Sequence, residues 1–365
     1  MNKQTKAPDF WKVKVSDIQK SIESLKVGTS KTLCHSPGKH PVTAIFYGDQ
    51  QSSHSTTNLS GAMGANIPSS YKKQSKKQTI MIVAGCHGAE AEGVAGTMNL
   101  IKLLEDKKDY LNKKREQLLE QLMNYHLIII PCLNPDGRAR SPDFLQGVNP
   151  EEALKINQGV WKNGQPIGYP TCKEYQPLNP DDVEFLGGYP NDSGFNLMHD
   201  ATPGNIETEE VRALLKLCHE TKPDLVLHLH SHPLGAEILP PTHGMFDYHK
   251  HQLLKFRNLM VQKFKEKNLS ISHRVLSESD GAHEWCCPFN LTTLTSHVCG
   301  ALSPTFEQTN GTGPHKLSFE DMIEETMTIV ELFVEQGLTN ALNPLEQVFS
   351  TMADMTLGLK NKINA

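Results

Sequence analysis

Thr79-Ile80-Met81-Ile82-Val83-Ala84-Gly85-Cys86-His87-Gly88-Ala89-Glu90 is the stretch that decides the fold. Thr79 to Gly85 is short and apolar, with no polar alternation, as expected of a strand buried on both faces. Glycine then breaks the run, and a histidine and a carboxylate follow three residues apart. That is the carboxyl end of a strand, where α/β proteins bind ligands.

Working outward, Val42 to Tyr47, His126 to Cys132, Asp224 to His230 and Leu302 to Phe306 read as further buried strands. Helical patterns lie between them. Leu111, Leu118, Leu119 and Leu122 share one face, as do Val211, Leu214, Leu215 and Cys218 before Pro223 ends the helix. The last helix starts at Ser318 with Asp321 as its capping acid, buries Met322, Ile323, Ile329, Val330 and Phe333, and ends at Gly337. Alternating strands and helices make the class α/β.

The chain has 365 residues, no internal repeat and no linker marked by a shift in composition, so one main domain is expected. The expected division is an N-terminal segment 1–40, a domain 41–340 with a polar insertion at 48–78, and a helical tail 341–365. Arg138 to Asn205 is rich in Pro, Gly, Asn and Asp, which suits substrate-site loops.

With 36 basic and 41 acidic residues the formal charge is -5, which favours neither nucleic acid nor an anionic membrane. No apolar run is long enough to span a bilayer, and the start does not read as a signal peptide. The eight cysteines are scattered without a Cys-x-x-Cys pair, pointing to a reducing, cytoplasmic setting. A peptide or small amide is the expected partner.

His87 and Glu90 supply a nitrogen and an oxygen ligand but do not complete a metal site, and Glu92 is a rival to Glu90. In Leu227-His228-Leu229-His230-Ser231-His232, three histidines alternate with other residues and project from one face of an extended chain. Any of them can complete the set. Two histidines and one carboxylate leave a coordination position open for water, as a catalytic site requires. Hydrolysis also needs a carboxylate to move the proton, and Ser303-Pro304-Thr305-Phe306-Glu307 offers Glu307 at a strand end.

His87-x-x-Glu90, Asn134-Pro135-Asp136-Gly137, His230-Ser231 and Thr305-Phe306-Glu307, in this order, resemble the carboxypeptidase A-like zinc metallopeptidases over about Thr79 to Gly337. The resemblance implies a single-domain, mixed but mostly parallel twisted sheet sandwiched by helices. It implies one Zn2+ per chain on His87, Glu90 and His230, with Glu307 activating the bound water. Asn134 to Gly137 is then a turn, and His228 and His232 are pocket residues.

The departures concern substrate. Where the family has an arginine after a tryptophan to polarise the scissile carbonyl, Lys162 follows Trp161, keeping the charge without the bidentate fork. Where the family grips a terminal carboxylate with Asn-Arg, Gly194-Phe195-Asn196-Leu197-Met198-His199-Asp200 offers Met198 and His199, with Asn196 a further candidate for the substrate. A protonated histidine binds a carboxylate less well at neutral pH. His232, and His283 in Asp280 to Trp285, are further candidates for the substrate pocket. The leading expectation is a metallopeptidase of carboxypeptidase type. A deacylase or amidohydrolase acting on N-acyl amino acids or cell-wall peptide fragments is the alternative, and an inactive zinc-binding protein the third.

Overall fold

The computed structural model describes residues 6–49, 55–72, 77–174, 176–239, 246–272, 274, 289–313, 317–343 and 345–350. Its strands are β1 (Thr29–His35), β2 (Pro41–Tyr47), β3 (Thr79–Val83), β4 (His126–Ile130), β5 (Val160–Trp161), β6 (Val183–Phe185), β7 (Leu225–His232), β8 (Glu237–Leu239) and β9 (Thr305–Thr309). Seven form one sheet in the order β1-β2-β4-β3-β7-β9-β8, while β5 and β6 pair separately. The central four, β4, β3, β7 and β9, run parallel, and the flanking strands join antiparallel. The mixed, mostly parallel sheet matches the expected class.

Period-two alternation assigns each strand residue to one of two cores. Ile80, Ile82, Leu127, Ile129, Leu225, Leu227 and Leu229 pack on one face, against the helices Ala91–Asp106 and Phe319–Thr339. Met81, Val83, Ile128, Ile130 and Val226 pack on the other, with helices Glu209–Thr221 and Leu291–Cys299. Because both faces are covered, the central strands read as unbroken apolar runs. The alternation also sends His228, His230 and His232 to the second face together.

Three sequence readings shift. The N-terminal forty residues are part of the main fold: β1 pairs with β2, and Trp11, Val13 and Ile18 join the first core. The described part of the 48–78 insertion is not wholly exposed. Leu59–Ala65 and Pro68–Tyr71 are helical, and Leu59, Ala62 and Tyr71 bury against Phe246, Val348 and Phe349. The strand expected at Leu302 to Phe306 becomes regular only at Thr305. Pro304 has no N–H to give, and 302–304 pairs irregularly with β7 through the Leu302 and Pro304 carbonyls. The Ser318–Asp321 capping box forms as expected.

Candidate metal centre

Parallel strands that end on one edge of a sheet deliver their following residues to one place. β3 ends at Val83, and the chain then turns through Gly85, whose φ of 61° lies in the left-handed region that glycine tolerates. The expected turn at Asn134 to Gly137 is the start of a short helix, Pro135–Arg140, capped by Asn134; Gly88 lies against it, where a Cβ would overlap the Gly137 and Arg138 backbone. Its N–H donates to the Gly188 carbonyl at 2.7 Å. Asn134 fastens the assembly: its N–H donates to the Gly85 carbonyl at 2.8 Å, and its side chain accepts from the Gly137 N–H and donates to the Tyr189 carbonyl, both at 2.9 Å. Glu90 thus stands at the N-cap of the Ala91–Asp106 helix, facing β7.

His87 Nδ1 lies 2.8 Å from one Glu90 carboxylate oxygen, and His230 Nδ1 lies 2.9 Å from the other. Ligand atoms of the three residues fall within 4.8 Å of one another. The Ser231 N–H donates to the same Glu90 oxygen as His230, at 3.2 Å. On the far side of His87, Nε2 lies 3.2 Å from Asn196 Oδ1, and Asn196 Nδ2 donates to the Cys172 carbonyl at 2.8 Å, which fixes the amide orientation. A neutral His87 donating to Asn196 therefore aims the Nδ1 lone pair at a carboxylate. A lone pair with nothing but an anion before it is repelled, and a cation between them reverses the sign. Two imidazoles and one carboxylate form a donor set suited to zinc with a position to spare.

The alternatives left open by the sequence resolve in space. His228 is buried, with Nε2 3.2 Å from the Thr295 hydroxyl. His232 sets Nε2 against the Gly235 carbonyl at 2.7 Å. Glu92 turns away from the triad and accepts from the Ser231 hydroxyl at 2.6 Å.

Two carboxylates of the centre shift in opposite directions. Burial favours the neutral form of Glu90, but His87 and His230 outweigh it and hold the carboxyl down at about 2. Glu307 stands beside His230 in the β7–β9 register, with Glu237 of β8 opposite. Enclosure pushes its carboxyl up to about 8, with Glu90 and Glu237 adding to the rise and His230 opposing it. Burial likewise pushes Glu92 up to about 7.

The triad and Glu307 open on a cavity of about 560 Å3, which Asn196, Met198, His199 and His232 also line. His199 is held down at about 3, chiefly by burial and then by His87, so it is neutral at pH 7 and does not supply the charge considered for it. Asn196 is engaged with His87 and reaches substrate only beside that ring. Lys162 does not fit the role of facing a scissile carbonyl. It is exposed at the end of β5 and absent from the cavity lining, because the short β5–β6 ribbon places it toward solvent. The lysine lining the cavity is Lys173, its Nζ 4.9 Å above the Tyr169 ring. His283 lies outside the described residues.

Tyr189, which sequence reasoning missed, stacks on His87 with ring centroids 3.9 Å apart. Its place after Gly187-Gly188, before Pro190, was the available signal: a tight backbone crossing next to an aromatic. Glu237, also missed, is fully buried and pairs with Arg274 at the cavity edge.

Among solved structures, a metallo-carboxypeptidase from Burkholderia cenocepacia aligns with 89% of this chain and 69% of its own, at 14% identity and a TM-score of 0.57. One from Pseudomonas aeruginosa, in complex with (2-guanidinoethylmercapto)succinic acid, aligns over 89% and 68% at 12% identity and a TM-score of 0.53. Bovine thrombin-activatable fibrinolysis inhibitor, in complex with tick carboxypeptidase inhibitor, aligns over 92% and 100% at 12% identity and a TM-score of 0.52. Likeness at such identities is likeness of fold. No curated protein sequence gives a significant match. Residues 13–236 match the sequence model of the family described as zinc carboxypeptidase, a span that holds His87, Glu90 and His230 and stops short of Glu307. With more than half its length matched, the chain belongs to the zinc carboxypeptidase family and is a hydrolytic metallopeptidase.

Proposed function

We propose that this chain hydrolyses a peptide or amide bond, with His87, Glu90 and His230 holding one Zn2+ and Glu307 acting as the proton-transfer group. The observation that carries the reading is the convergence of two imidazole Nδ1 atoms on the two oxygens of Glu90, at 2.8 and 2.9 Å, with Glu307 one strand away in register with His230. When bound, zinc supplies a Lewis acid that polarises the carbonyl and acidifies water. Glu307 then takes a proton from the attacking water and returns it to the leaving nitrogen. Enclosure raises its proton affinity, which suits the return of the proton; taking the proton requires the charged form, which His230 favours and a bound cation would favour further. Ser231 N–H and Asn196 hold Glu90 and His87 in place, so the ligand atoms need little rearrangement.

A carboxypeptidase action is the first reading. The second, hydrolysis of N-acyl amino acids or cell-wall peptide fragments, is favoured by Met198 and the neutral His199 in the stretch where the family grips a free carboxylate; among the described residues the cations lining the cavity are Lys173 and Arg274, and Arg274 pairs with Glu237. C-terminally free peptides, blocked peptides and N-acyl amino acids, assayed side by side, separate the two. Glu307→Gln tests the mechanism common to both: kcat falls by about 10^2 to 10^4, while bound zinc and the melting temperature are kept. Full activity in that variant overturns the assignment.

A further inference from the structure

The helix Ala91–Asp106 meets β7 at two places in its first turn. At Gly93 it lies so close that a Cβ there would stand 2.7 Å from the Leu229 Cβ, a spacing only glycine allows. At Glu92, Oε2 accepts the Ser231 hydroxyl at 2.6 Å. Ser231 spends its other donor, the backbone N–H, on Glu90 at 3.2 Å, and the oxygen that accepts it is the one facing His230 Nδ1 at 2.9 Å. One serine of the strand that carries His230 therefore ties down two carboxyls of one helical turn, a member of the triad and its neighbour.

The helix does not hold Glu90 by itself. Glu90 stands at the N-cap, yet its side chain makes no capping bond to the N–H groups of the first turn. It is drawn to β7 instead, by the Ser231 N–H. The aim of that N–H depends on how Ser231 is seated, and the hydroxyl bond to Glu92 seats its side chain. Glu92 has no other evident task. It is fully buried, it does not line the cavity, and its Oε1 has no hydrogen-bond partner among the described residues. Such a carboxyl works against folding, at a cost that an apolar side chain of the same size avoids. The bond to Ser231 needs only an acceptor oxygen, which a carboxylate, a carboxylic acid and an amide all present.

We infer that Glu92 is a positioning residue of the metal centre: through the Ser231 hydroxyl it fixes the Ser231 N–H, and with it the Glu90 oxygen that faces His230. It acts from behind the ligands, outside the cavity that substrate enters. The inference rests on the reading that His87, Glu90 and His230 hold zinc.

The test uses the full-length protein and three readouts: the zinc dissociation constant by competition with a chromogenic chelator, the visible spectrum of the cobalt(II)-loaded form, and the melting temperature of the metal-free form. Glu92→Met removes the acceptor at nearly constant volume, and Glu92→Gln keeps it. The expected result for Glu92→Met is zinc affinity about 10- to 100-fold lower and a shifted cobalt spectrum, with Glu92→Gln restoring both to near wild type. The metal-free melting temperature of Glu92→Met is equal to or above wild type, the reverse of what a merely structural carboxyl would give. Ser231→Ala weakens zinc as much as Glu92→Met does, and the double variant loses no more than either single one, because both cut the same bond. Ser231→Ala set against Glu92→Gln carries the same comparison if Glu92→Met does not fold. Wild-type zinc affinity in Glu92→Met or Ser231→Ala, a Glu92→Gln as weak as Glu92→Met, or losses that multiply in the double variant overturns the inference alone. A wild-type protein that takes up no zinc overturns the metal reading and this inference with it.

Discussion

Two regions build one cavity by different means. His230 and Glu307 stand on adjacent strands whose ladder pairs them residue for residue, and His87 and Glu90 follow the next strand along. The opposite wall comes from the stretch between Arg138 and Asn205, which contributes a nine-residue helix and glycine-bearing crossings, with the two-stranded ribbon outside the lining. In the first region, position is set by sheet register, which tolerates no slippage. In the second it is set by individual hydrogen bonds such as Gly188 N–H to the Ile156 carbonyl. On the proposed roles, bond-breaking falls to the strand edge and selectivity to the segment held by individual hydrogen bonds, as loops on rigid scaffolds commonly divide the work.

The division is broken most directly at His230. His230→Ala removes one of the three proposed ligands from the register-fixed side, and the expected outcome is zinc content well below one equivalent and activity lower by about 10^3-fold or more. Metal analysis with kcat on the same preparation decides it; a variant that keeps both dissolves the contrast. The joint between the regions comes next. Gly88 lies where a Cβ would meet the Gly137 and Arg138 backbone. Gly88→Ala should cost about 1–3 kcal/mol in a denaturant titration, as overpacking does, and displace His87 as well. A stability equal to wild type would show that the two regions are not pressed together.

The sequence displayed the first region well and the second poorly, for a physical reason. A buried parallel strand writes itself as an apolar run, so β3, β4 and β7 were visible, and motif order then singled out Glu90 and His230. Glu92 and His228 remained rivals because their spacing is equally suitable; only their partners in space separate them, Glu92 taking the Ser231 hydroxyl and His228, one step back along the strand, the Thr295 hydroxyl. β1, with exposed or half-exposed residues on both faces, and the three-residue β8 carry almost no hydrophobic pattern. In the segment Arg138 to Asn205, position depends on long-range bonds that composition does not encode. Lys162 was consequently mistaken for a cavity residue, while Tyr189 went unnoticed.

Acid and base should distinguish the cavity wall from the helical layer behind the sheet. Glu324 in that layer is paired with Arg115 at 2.7 Å and with Lys113 and Lys267. Burial works against its ionisation, yet these cations hold its carboxyl well below the ordinary range. A depressed carboxylate contributes stability above its unfolded value of about 4.3 and loses it as pH falls. Glu210, which accepts from Asn191 at 3.1 Å beneath the wall, is shifted the other way by burial, with Asp136 and Asp200 adding. Its contribution is present at low pH and is lost as pH rises through its raised value. Glu324→Gln is therefore expected to destabilise by about 1 kcal/mol at pH 7.5 and by less at pH 3, where the contribution has begun to fall while the native carboxylate is still ionised. Glu210→Gln should match wild type in acid and gain on it above neutrality. Melting curves at both pH values check the signs, and like-signed responses would merge the two layers.

The smallest expected effect is at Lys162, and it probes the boundary of the wall. The side chain is exposed where β5 ends, and its N–H is spent on the Asp182 carbonyl at 3.3 Å. If selectivity resides in the part of Arg138 to Asn205 that lines the cavity, Lys162→Ala changes kcat/KM less than about twofold on every substrate, since an exposed charge outside the cavity is screened by water and salt. A tenfold loss confined to one substrate class would place the β5–β6 ribbon over the cavity during turnover. The adaptable region would then include a moving charge as well as a fixed wall, and the contrast with the strand edge would be one of motion more than of hydrogen-bond pattern.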